Sequence, residues 1–354
     1  MYYSRHYQPG HDRQLALWLI TCAVVIYGMI LLGGVTRLTE SGLSMVEWRP
    51  LMGIVPPLGE AAWQDVFAKY QQFPEYQKIN RGMDLAQFKV IFMYEYLHRV
   101  LGRLIGLLFA LPLLFFAVRG RIRPGFMPRL FMLFALGGCQ GLLGWYMVKS
   151  GLVDRPSVSQ YRLTAHLGLA VALYGAIVWQ ALQLLPGMRT AGQGASPSLV
   201  SLARWIVPLV LLVYLMILSG GLVAGTDAGF SYPTWPRMGP GFVPPGLYET
   251  SPAWLAAFED VTTVQFNHRM FAYLLFFLVG GFALRLAFSA GDKGLRLLAV
   301  AILGALLLQL SLGIGTVLTH VAVPVAAAHQ GGAILLLTVL LLTAAALRGR
   351  VSGS

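Results

Sequence analysis

Residues 33–48, GGVTRLTESGLSMVEW, return as residues 220–235, GGLVAGTDAGFSYPTW. Gly33, Gly34, Thr39, Gly42, Ser44 and Trp48 recur as Gly220, Gly221, Thr226, Gly229, Ser231 and Trp235, each 187 positions on, and Glu40 is answered by Asp227. Further matches keep the same order. Pro56-Pro57 reappears as Pro244-Pro245 at an offset of 188, and His98-Arg99 as His268-Arg269 at 170. QGLLG (140–144) returns as QLSLG (309–313) at 169, and AHLG (165–168) as AHQG (328–331) at 163. An ordered series whose offset falls from the loop onward describes one unit written twice, the first copy with the longer loops.

The unit is a membrane unit. The chain has 354 residues, of which 57% are hydrophobic and only 11% charged, with a mean hydropathy of +0.67; soluble domains carry about 25% charged residues. A span needs roughly 20 mainly apolar residues. Eight such stretches are present, at about 15–35, 92–118, 127–148, 163–185, 204–224, 266–290, 295–318 and 323–347. Four spans per copy give both copies the same orientation, related by an axis along the membrane normal. The expected fold is an all-α integral membrane protein, eight transmembrane helices arranged as two pseudo-symmetric four-helix bundles. Its parts are an N-terminal tail (1–14), a first bundle (15–185), a linker (186–203), a second bundle (204–347) and a C-terminal tail (348–354). The outer loop at 37–88 is too long for a bare connection, so it should form short helices and cover something.

A net charge of +12 invites a nucleic-acid partner, but its distribution argues against one. With the N-terminus inside, the cytoplasmic pieces hold Arg5, Arg13, Arg119, Arg121, Arg123, Arg129, Arg189, Arg204, Arg285, Lys293, Arg296, Arg348 and Arg350 against Asp12 and Asp292. The excess is a topology signal, and both termini are expected in the cytoplasm. The first span is too long for a signal h-region and no A-x-A-like site follows it, so a bacterial inner membrane is expected. Cys22 and Cys139 both fall within spans and read as small packing residues, with no structural disulfide in the outer loops.

Of seven histidines, His6 and His11 lie in the polar tail and read as solvated. His98, His166, His268 and His329 lie near the outer ends of spans 2, 4, 6 and 8, and form two repeat-matched pairs, His98 with His166 and His268 with His329. Two imidazoles facing across a bundle core make the axial pair of a haem. Zinc would want three or four ligands at one point, and neither bundle adds a cysteine at that depth. His320 has no counterpart and reads as structural or interfacial. Arg99 and Arg269 each follow a ligand histidine. They suit pairing with haem propionates, or snorkelling to headgroups. Arg103, one turn further in, faces Tyr273 in the match and would serve the first bundle alone.

The repeat fails at one carboxylate. Glu95, three residues before His98 on the same helical face, becomes Gln265 in the second copy. It is either a partner for the loop or Arg99, or a group for proton transfer or charge stabilisation beside a reacting haem. The second role divides the labour: chemistry in the first bundle, a permanent electron-relaying haem in the second.

GGVTRLTESGLSMVEWRP, EYLHRVLGR, GWYMVKSGL, TAHLG, FNHR and AHQGG resemble the haem A synthase family over about residues 15–347. Some bacterial members carry a cysteine pair in the first outer loop. This chain lacks it and is similar to the mitochondrial and α-proteobacterial branch. The resemblance implies oxidation of the C8 methyl of haem O to a formyl group through successive hydroxylations, giving haem A for terminal oxidases. It implies that His98 and His166 flank haem O with Glu95 beside it, and that His268 and His329 hold haem B as cofactor. Implied partners are a haem O synthase, terminal-oxidase assembly factors and an electron partner; an oligomer is compatible with it. The rival reading is a dihaem b-type cytochrome relaying electrons from quinol, which has no use for an asymmetric carboxylate. A haem transporter is a further rival, but no span is visibly broken at mid-membrane.

Overall fold

The computed structural model describes residues 8, 10–46, 55–151, 158–185 and 197–351. Arg5, His6, Trp48, Arg189 and most of the expected linker lie outside the described residues. Among the described residues eight helices are long and apolar enough to cross a membrane: α1 (Gly10–Leu38), α4 (Leu85–Val118), α5 (Met127–Gly151), α6 (Gln160–Leu184), α7 (Pro197–Gly225), α9 (Val261–Ser289), α10 (Lys293–Leu318) and α11 (Val323–Val351). Three short helices accompany them, α2 (Glu60–Tyr70), α3 (Pro74–Lys78) and α8 (Ala253–Glu259). Among the described residues there is no strand.

Several helices run past the apolar stretch that announces them, because polar caps rather than hydropathy set their ends. Asp84 caps α4 by accepting from Gln87 N at 2.8 Å, while Gln87 Oε1 accepts from Asp84 N at 3.1 Å. That reciprocal box starts the helix at Leu85, seven residues before the expected span at 92. Asp260 caps α9 in the same manner, accepting from Thr263 N at 2.7 Å. Helix α7 starts at Pro197, so the interhelical connection is shorter than 186–203.

The pairings fall into two closed rings. In one, α1 packs on α4 and α6, and α5 on α4 and α6; in the other, α7 packs on α9 and α11, and α10 on α9 and α11. The rings meet where α6 lies on α7, α1 on α11, and α6 on α11. Matched residues make this seam on both sides. A Cβ at Gly168 would meet Leu218 Cδ2 at 2.7 Å and Tyr214 Oη at 3.2 Å, and one at Gly331 would meet Leu31 Cδ2 at 3.0 Å and Tyr27 Oη at 2.8 Å. Small residues let the helices approach where lipid supplies no hydrophobic drive between them.

Burial is unequal between the rings. In the most apolar window of each helix, 61% of α11 is buried, 50% of α6 and 39% of α1. The outer pair of the first ring is the most open, with 17% for α4 and 6% for α5, against 28% and 22% for α9 and α10.

The long outer loop folds back on the extended top of α4. Tyr70 and Phe88 are fully enclosed and stack with centroids 5.0 Å apart, and Phe67 packs on Phe88 at 4.9 Å. With Trp63, Tyr76 and Phe92 they form a separate aromatic core.

Candidate functional site

Each of the four candidate ligands sits on the second or fourth long helix of its ring. His166, His268 and His329 lie about two turns from the start of their helices, whereas His98 lies deeper in α4 because that helix extends upward to carry the loop. His98 is close enough to His166 to interact electrostatically, and His268 to His329. The members of each pair expected from the repeat therefore lie near one another. Among the described residues no group of three or more His, Cys, Asp or Glu converges.

A glycine makes room for every one of these rings. A Cβ at Gly33 would stand 3.0 Å from His98 Cε1, at Gly144 2.9 Å from His166 Cε1, at Gly220 3.4 Å from His268 Cε1, and at Gly313 2.8 Å from His329 Cε1. Gly33 matches Gly220 and Gly144 matches Gly313 in the repeat. Each imidazole is thus pressed against the backbone of the preceding long helix. Its Nδ1 is turned into protein: those of His98, His166 and His329 are buried without a partner, and that of His268 lies 3.1 Å from Ser219 Oγ. A proton on Nδ1 leaves the Nε2 lone pair for a metal. The donor set, its pairing and the glycine cradles fit a bis-imidazole haem in each ring. In the first ring Gln140 Nε2 approaches His166 Nε2 at 3.4 Å while donating to His166 O at 3.0 Å.

The arginines are held by the loops. Arg99 Nη2 donates to Met45 O at 3.0 Å, and Arg269 Nη2 to Tyr232 O at 2.6 Å; Met45 and Tyr232 are themselves matched at the offset of 187. Beyond this shared staple the copies part. Glu95, 2% exposed, pairs with Arg99 and accepts from Ser44 Oγ and Met45 N, both at 2.7 Å. Gln265 instead donates to Gly229 O and Tyr232 O. Arg269 also donates to Thr234 O at 2.8 Å, but its Nε is buried without a partner and among the described residues no carboxylate pairs with it. An enclosed guanidinium facing only carbonyls suits an anionic group such as a propionate. Arg99 already has its anion in Glu95. Arg103 lies half-buried one turn below Arg99, and His320 sits at a left-handed turn, φ 53°, between α10 and α11.

Two features escape sequence reasoning. Ser219 sits in an apolar helix and breaks the repeat, since its match is Leu32. Glu75 reads as a loop charge, yet it lies in the first turn of α3, 4% exposed, with Oε2 enclosed and unpartnered. Burial, helped by the nearby charge of Glu95, pushes its carboxyl up to about 8. The recurring glycines were visible as repeated letters, but not as room for imidazoles.

Residues 16–341 match the family model COX15-CtaA, cytochrome oxidase assembly protein. The chain is 48% identical to the protein called heme A synthase from Nitrosospira multiformis, covering 92% of this chain and 91% of that one. It is also 48% identical to the heme A synthase of Paramagnetospirillum magneticum (94% and 93% covered) and 47% identical to that of Parvibaculum lavamentivorans (92% and 91%).

Proposed function

The chain belongs to the COX15-CtaA family of cytochrome oxidase assembly proteins, and from that premise we propose that it is a haem A synthase, a membrane enzyme acting in the conversion of haem O to haem A. The observation that carries the site assignment is a pair of neighbouring histidines in each ring, with a carboxylate on the same helix as the first ligand in only one ring. A dihaem relay would use the same four histidines, but it gives no reason for the difference between Glu95 and Gln265.

Haem O is the substrate of the first ring, held between His98 and His166. Its farnesyl tail is apolar, and the loose packing of α4 and α5 leaves that ring the more open to lipid. Two successive hydroxylations of the C8 methyl would give a geminal diol that loses water to the aldehyde; with water as the source of oxygen the net change is CH3 + H2O → CHO + 4 H+ + 4 electrons, the electrons leaving to an external one-electron acceptor and the protons to water. Glu95, on the face of α4 that carries His98, takes a proton released at the methyl carbon or stabilises positive charge developing there. Ser44, Met45 and Arg99 fix the carboxylate against the loop and hold it in place. His268 and His329 would hold haem B in the second ring, and that group would supply one-electron redox chemistry there. Ser219 and the uncompensated Arg269 support that permanent site. The protein lies in the bacterial inner membrane with both termini cytoplasmic and the histidines toward the periplasm, as the inside excess of arginine supports.

Glu95→Gln tests the catalytic role. The second ring already carries glutamine beside arginine at this position, so the variant should fold and bind haem O but accumulate it unconverted. Normal haem A output from that variant would remove Glu95 from the mechanism.

A further inference from the structure

The two rings treat their first ligand differently. On α7, Ser219 stands one residue before Gly220, the glycine that cradles His268, and its Oγ lies 3.1 Å from His268 Nδ1. On α1, the residue before Gly33, which cradles His98, is Leu32, and His98 Nδ1 is buried without a partner. Around the two histidines the glycine, the following arginine and the carbonyl that arginine holds are matched, while Glu95 against Gln265 is the other departure.

We propose that Ser219 is a positioning residue that fixes His268 in the tautomer presenting Nε2 to iron and so makes the second ring the one that retains its haem. The proposal rests on the reading of His268 as an axial ligand. In that tautomer Nδ1–H donates to Ser219 Oγ, which restrains ring rotation and makes Nε2 more electron-rich. His98 has apolar Leu32 at the matched position, so its ring carries no such restraint. Weaker ligation suits a site that must take up haem O and give up haem A. A relay haem that left with each turnover would be of no use, and there the restraint is present. In the duplicated unit this hydroxyl thus separates a retaining site from an exchanging one at the level of the first ligand.

The test uses the full chain purified from membranes of cells that also make haem O. Haem B release is followed by transfer to an apo-globin acceptor, and the midpoint potential of the retained haem by redox titration. Ser219→Ala should release haem B about tenfold faster and raise the midpoint potential, because a less electron-rich imidazole stabilises ferric iron less. Ser219→Thr, which keeps the hydroxyl, should restore both values. Release and potential equal to the parent in Ser219→Ala overturn the proposal. Should Ser219→Ala fail to accumulate, Leu32→Ser decides. It must slow release of haem O and haem A from the first ring by about tenfold, and unchanged release overturns the proposal. His268→Ala separates the two levels of inference. Retention of haem B in that variant overturns the ligand reading itself, whereas its loss alongside an unaffected Ser219→Ala overturns only the role of the serine.

Discussion

Glycine at four matched places decides how the imidazoles stand, and the gaps differ enough to predict different outcomes. A methyl at Gly313 would meet three atoms of the His329 ring, with Cε1 at 2.8 Å, closer than carbons tolerate. The ring must shift, and overpacking of this kind costs about 1–3 kcal/mol. At Gly220 the same methyl meets His268 Cε1 at 3.4 Å, an ordinary contact, and replacing a helical glycine by alanine returns about 1 kcal/mol of propensity. Gly313→Ala should therefore lose haem B content while Gly220→Ala keeps it, as read from the haem-to-protein ratio of the purified variants. Equal loss in both would show that the cradle distance does not matter. The pairing of the histidines was legible, because four histidines at repeat-matched depth are hard to place by chance. Their supports were not. A serine in an apolar helix usually satisfies itself on its own backbone, and nothing in the letters of 219 distinguishes it from one that bonds across to His268.

At the scale of elements, the outer loop is a folded cap with an ionisable group inside. Its helices were foreseeable from length, but the burial of Glu75 was not, since it depends on how α2 and α3 close on the top of α4. Asn80 Nδ2 donates to Tyr70 Oη at 2.8 Å beside it, within an otherwise aromatic core. Glu75 has its carboxyl raised from 4.5 to about 8 by burial first and the charge of Glu95 second. The folded cap thus holds this proton more tightly than the unfolded one does. The sign follows: the contribution is complete below pH 4.5, shrinks as pH rises, and is gone once pH passes the folded value near 8. Protection of the amides of residues 60–78, corrected for the intrinsic base-catalysed exchange rate, should fall between pH 5 and 8, and Glu75→Gln, neutral throughout, should flatten that fall. An unchanged pH dependence in the glutamine variant would assign the titration to another group.

For the whole molecule, duplication explains both what was readable and what was hidden. The eight spans and their two-by-four order could be read because apolar length and repeat offsets are properties of the chain. The seam could not, although Tyr27 with Leu31 and Tyr214 with Leu218 meet Gly331 and Gly168 at matched places, because which helices face inward is decided by packing. The copies depart from one another at Glu95 against Gln265, Ser219 against Leu32, an arginine paired in one ring and without a carboxylate in the other, and α5 far less enclosed than α10, and the proposed function places its division of labour there. The central claim is that these departures make one ring a substrate site and the other a cofactor site. The most direct measurement is the haem inventory of His98→Ala and His268→Ala, purified from cells that make haem O and separated by chromatography and mass. The account predicts that His98→Ala keeps haem B and loses haem O, its hydroxylated intermediates and haem A, while His268→Ala loses haem B and still binds haem O. The reverse pattern, or haem B lost equally from both, would contradict it.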